Sequence, residues 1–138
     1  MELKPTITLV TCVLLCTTFG LACSGKKSKL AGEQVSFYLA GGYQEDDVTL
    51  RVDGKILCSE KISTDPSSGL AKFLDFRCTE DSGTVKIDVQ LSDGKTVSRS
   101  LQFEIGQGSY IQLHLFRGND VNPPEVVEFQ TIAKPYFY

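Results

Sequence analysis

Strict alternation of apolar and polar residues recurs along this chain and dictates β-strands. In "TVKIDVQL", Val85, Ile87, Val89 and Leu91 fall on one side; Lys86, Asp88 and Gln90 fall on the other. "VSRSLQFEI" repeats the pattern with Val97, Leu101, Phe103 and Ile105, except that Arg99 interrupts the apolar side. "EQVSFYLA", "DVTLRV" and "SYIQLHLF" alternate in the same way. A period of two buries one face of a pleated strand. No segment carries the 3.6-residue stripe of an amphipathic helix.

The punctuation between these runs agrees. "VDGK" at 52–55 and "SDGK" at 92–95 place Asp-Gly pairs between alternating segments, and both residues tolerate the positive φ of tight hairpins. "STDPSSG", "TEDSG" and "GQGS" mark further loops. About seven or eight strands at this spacing predict an all-β fold, a single antiparallel β-sandwich over residues 34–138. A small β-barrel has the same sequence signature and is the alternative.

Ahead of the strands, Lys4 is followed by the uncharged run "PTITLVTCVLLCTTFG", and the small residues Gly20 and Ala22 precede Cys23. A charged start, a short apolar run and small residues at the cut describe a secretory signal peptide over residues 1–22. A membrane-spanning helix needs about 20 predominantly apolar residues, and five threonines dilute this stretch. "GLAC" resembles the end of a bacterial lipoprotein signal, with Ala22 before the cysteine but Gly20 where leucine is usual. The resemblance implies acylation of Cys23 and a lipid anchor in the cell envelope. Plain secretion is the alternative localisation. "SGKKSKLAGEQ" reads as a polar, basic tether, so residues 23–33 form the lipidated cysteine and its flexible link to the domain.

The chain has five cysteines, of which Cys12 and Cys16 lie in the apolar run. Lipidation of Cys23 leaves Cys58 and Cys78 as a pair, and an exported protein permits a disulfide. A hairpin of "ILCSEKIS" and "LAKFLDFRC" around "TDPSSG" sets the two cysteines nearly opposite each other on the core side.

Chemistry is sparse. The formal charge is −3 and the lysines are scattered, which excludes a basic stripe for nucleic acid. No zinc spacing, phosphate loop, nucleophile elbow or dinucleotide fingerprint occurs, so no catalytic residue, metal or cofactor is assigned. The one histidine, His114, reads as strand surface. "QEDD" at 44–47 and "GNDVN" at 118–122 read as solvated turns rather than calcium loops. Tyr43 and Tyr110 are the candidate ligand-binding residues, and the aromatic end "KPYFY" is expected to dock onto the domain. The expectation is a non-catalytic binding or protein-interaction module, tied to a membrane through its lipid. An envelope protein is the favoured partner because tryptophan is absent, and a carbohydrate is the alternative.

Overall fold

The computed structural model describes residues 32–137. The signal segment, Cys23, most of the tether and Tyr138 lie outside the described residues. Eight strands follow in order: β1 (Gln34–Ala40), β2 (Asp46–Val52), β3 (Lys55–Ile62), β4 (Leu70–Arg77), β5 (Ser82–Gln90), β6 (Thr96–Glu104), β7 (Tyr110–Phe116) and β8 (Glu125–Thr131). They form two four-stranded sheets packed face to face. The first has the order β4-β1-β7-β8, the second β3-β2-β5-β6. The fold is therefore a sandwich, and the barrel alternative is excluded. One departure from pure antiparallel pairing is β1 against β7, which run parallel.

The alternating residues build the core as their spacing dictates. Val35, Phe37 and Leu39 of β1 face Val48, Leu50, Val52, Val85, Ile87 and Val89 of the second sheet, all essentially buried. Phe37 and Phe103 meet edge to face at 6.0 Å. Both Asp-Gly turns form. Asp53 and Gly54 adopt φ of 49° and 79°, the positive pair that a two-residue hairpin between twisted strands requires.

The expected β3–β4 hairpin does not form. β3 pairs with β2, and β4 pairs with β1 in the other sheet. Seven loop residues, 63–69, exceed the usual hairpin length. The loop is tied instead by Thr64 N–H to the Tyr43 carbonyl at 2.9 Å and Gly41 N–H to the Gly69 carbonyl at 2.9 Å. It thus carries the chain from one sheet to the other. The disulfide expectation falls with the hairpin, because Cys58 and Cys78 are both free, buried thiols. Burial pushes both thiols up, helped by Glu60 beside Cys58 and Asp53 near Cys78. Iodoacetamide should therefore leave both unmodified in the native protein and alkylate both in denaturant. Peptide mapping checks this, and a recovered Cys58–Cys78 disulfide would refute it.

Ile56, two residues before the buried Cys58, nevertheless faces solvent. The register shifts between Leu50 and Arg51, so Leu50 faces Cys58 while Arg51 faces Ile56. The extra residue, Leu57, is a β-bulge that turns Ile56 out to solvent.

The two flanks between the sheets are closed by charge. Arg99 of β6 reaches Glu128 of β8 in a two-pronged contact at 2.9 and 3.2 Å. Lys72 of β4 binds Glu60 of β3 on the opposite flank. These residues sit on the inward side of edge strands, where a charge deters pairing with another chain's strand. Arg99, which breaks the alternation in the sequence, owes its place to this role.

Candidate functional site

The two outer faces of the sandwich differ in chemistry. On the second sheet the outward positions are Asp47, Thr49, Arg51, Lys86, Asp88 and Ser98. Arg51 binds Asp88 at 2.9 Å, and Ser98 Oγ donates to the same carboxylate at 2.6 Å. This hydrogen bond leads in holding Asp88 below the usual carboxylate range.

The first sheet presents rings. Register places Phe73, Tyr38, Gln112 and Phe129 side by side across β4, β1, β7 and β8. The next row on one side is Asp75, Ser36, Tyr110 and Thr131; on the other side Ala40, His114 and Val127 line up. Phe73, Phe116 and Phe129 are 44%, 41% and 52% exposed. Tyr38 is buried among Phe73, Tyr110 and Phe137, with ring centroids 5.0, 6.4 and 5.3 Å away. The Phe137 ring stacks at 25° to that of Tyr38, which shows the C-terminal segment docked on this face. Between strap and sheet is a cavity of about 460 Å³, lined by Tyr38, Leu70, Phe73 and Lys134–Phe137.

Polar groups punctuate the rings. Ser36 Oγ donates to Asp75 Oδ1 at 2.7 Å. His114 Nε2 lies 3.2 Å from Gln112 Oε1, and its ring meets Phe129 edge-on at 5.5 Å. Burial lowers the His114 pKa, so the neutral imidazole donates to Gln112 near pH 7. The Tyr38 hydroxyl is buried and makes no hydrogen bond among the described residues.

Of the two tyrosines expected to bind ligand, the structure brings Tyr110 to this face and removes Tyr43 from consideration. Tyr43 is 1% exposed and packs in the core. Its hydroxyl donates to the Leu113 carbonyl at 3.0 Å. Burial, with Asp46 nearby, pushes its pKa far above the ordinary range, so it remains a donor. A tyrosine in a glycine-rich turn reads as exposed, but here the turn folds inward over the end of the sandwich. The site residues missed by that reasoning are Tyr38, Phe73 and Phe129. For Tyr38 and Phe73 the signal was parity, since each sits opposite the core-facing positions of its strand; Phe129, between Glu128 and Gln130, carried no such signal.

The acidic turns are structural. Asp46 binds Arg117, Asp47 binds Lys61, and Glu45 accepts from Ser63 Oγ. Asn119 Oδ1 accepts from the amides of Val121 and Asn122, closing its own turn. No group of three metal-ligating side chains converges among the described residues. No family model and no curated protein matches the chain.

Proposed function

We propose that the protein is a non-catalytic binding module, held at the bacterial cell envelope by a lipid on Cys23, with the outer face of the first sheet as its contact surface. The observation that carries this is the contrast between the two outer faces. One is a lattice of mutually satisfied polar side chains; the other exposes Phe73 and Phe129 at the two ends of the row that Tyr38 and Gln112 complete, with Phe116 farther along β7. Exposed aromatic rings gathered on one sheet face mark an interaction surface. Catalysis finds less support: the one histidine hydrogen-bonds the Gln112 amide, and among the described residues it bonds no carboxylate or nucleophile that would form a relay.

Photo-crosslinking tests the contact surface. A benzophenone amino acid at position 116 or 129 should yield adducts on intact cells, whereas the same group at position 98, on the second sheet, should not. Equal labelling from both faces would defeat the proposal.

The anchor has its own test. Intact-mass analysis of the mature protein should show Cys23 as the first residue with added acyl mass, and Cys23→Ser should abolish membrane retention. A mature chain beginning at Cys23 with no added mass would leave plain secretion standing.

A further inference from the structure

We propose that the aromatic row binds an oligosaccharide strand, and that the C-terminal strap occupies part of the site until the saccharide displaces it. This rests on the reading of the first sheet's outer face as the contact surface and names the class of partner that face takes.

The first observation is Tyr38. It is 3% exposed, and its hydroxyl has no hydrogen-bond partner among the described residues. Buried hydroxyls are rarely left unpaired, because they lose their water without replacement. The group stacked on Tyr38 is the Phe137 ring, which can fill space but cannot accept or donate a conventional hydrogen bond. Phe137 therefore matches the shape of the slot, and no described residue meets its polar requirement. A pyranose meets both, since its C–H face stacks on an aromatic ring while its hydroxyl edge forms hydrogen bonds. The cavity beside Tyr38, about 460 Å³, is within the range of small-molecule sites.

The second observation is how polar groups are distributed. The dry centre of a protein–protein contact concentrates apolar side chains and leaves polar ones at the rim. Here Gln112 stands in the middle of the row, between Tyr38 and Phe129. Ser36 and Asp75 flank it on one side and His114 on the other. Alternating platforms and hydrogen-bonding groups suit a ligand that is amphipathic along its whole length. The row crosses four strands, a span of roughly 14 Å at ordinary strand spacing, which fits a chain of sugars better than a single one. Absence of tryptophan is no obstacle, since Phe73, Tyr38 and Phe129 supply the rings.

The strap is suited to yield. It has no regular secondary structure after Thr131, and Ile132 and Tyr136 are 80% and 82% exposed. Among the described residues, the ring stack that fastens it to the sheet is that of Phe137 on Tyr38.

The test uses the mature protein and two probes, the β-1,4-linked hexamers of N-acetylglucosamine and of glucose. Binding of at least one, with amide resonance shifts confined to β1, β4, β7, β8 and the strap, is the expected result. Phe137→Ala should tighten binding, because the competing ring is gone. Phe129→Ala should weaken it, while Thr49→Ala on the other sheet should leave it unchanged. Tyr38→Phe should weaken binding by about tenfold, the worth of one hydrogen bond, yet raise the thermal midpoint of the saccharide-free protein by removing the unpaired hydroxyl. A purely structural Tyr38 would not produce that opposition. Failure of both hexamers to bind either the wild type or Phe137→Ala overturns the proposal. If crosslinks from positions 116 and 129 then identify a protein, the contact surface stands and only the saccharide falls. If those crosslinks are absent as well, both readings fall.

Discussion

Asp46→Ala is expected to destabilise the protein by about 3 kcal/mol, at the lower end of the range for breaking one side of a buried ion pair. Asp46 is fully buried at the start of β2, yet its carboxylate is completely satisfied. Oδ2 accepts from Arg117 at 2.6 Å and from Gln44 N–H at 2.8 Å; Oδ1 accepts from Ser92 N–H at 2.9 Å. Arg117 also donates to the Gly42 carbonyl at 3.1 Å and to Ser92 Oγ at 3.1 Å. One carboxylate and one guanidinium thus tie together the turn after β1, the turn between β5 and β6, and the segment after β7. Alanine would take the carboxylate from the guanidinium and leave the Gln44 and Ser92 amides without their acceptor. The loss stays near the lower end because the Arg117 side chain retains 24% exposure and can recover some hydration.

The same residue sets a pH dependence. Burial alone would raise its pKa, but the Arg117 hydrogen bond and the amides of Gln44 and Ser92 outweigh it and hold the group below 3.8. A lowered folded-state pKa means that its contribution is fully present above the unfolded value and is lost as pH falls through the folded one. Stability should therefore be level in this respect at neutral pH and decline below about pH 4. Urea unfolding at several pH values measures both effects. In Asp46→Asn the acid decline should be shallower; an unchanged slope would show that Asp46 does not control it.

The strands were legible because a period of two has one structural meaning in a half-buried sheet. Val85, Ile87 and Val89 could not all be buried in a helix. What the sequence concealed follows from features that break or ignore the period. β8 carries Glu128 and Gln130 on its inward side, since it is an edge strand whose inner positions meet Arg99 and, through Gln130 Nε2, the carbonyls of Glu104 and Gly108. Local pattern therefore gives it no clean apolar face. Cys58 and Cys78 share core parity, but parity is silent about which sheet a strand joins, and the 63–69 loop crosses between sheets. The aromatic row was only half legible. Outward parity was readable for Tyr38, Phe73 and Tyr110, but their adjacency depends on β1 lying between β4 and β7, a long-range pairing that no local signal encodes.

Gly42→Ala should cost about 4 kcal/mol, combining the strain of a left-handed non-glycine residue with an overpacked contact. Gly42 adopts a φ of 77°, and a Cβ there would lie 1.7 Å from the Leu115 carbonyl oxygen. Neither side can readily withdraw. Leu115 N–H donates to the Gly41 carbonyl at 3.3 Å, holding the turn against β7. The Gly42 carbonyl is held in turn by Arg117. Gly54→Ala is the control, since its φ of 79° is nearly the same and a Cβ there meets nothing within 4 Å. It should cost only the backbone strain, about 1–2 kcal/mol. Urea midpoints at matched m-values separate the two contributions, and equal losses would mean that the contact with Leu115 adds nothing. The turn leads from β1, which carries Tyr38, toward Asp46, and its glycines lie against β7 beside His114 and Leu115. A side chain at position 42 would force β1 and β7 apart at the end of their parallel pairing. Phe137→Ala, by contrast, should leave that pairing intact, because it removes a ring from above the sheet rather than adding an atom within it.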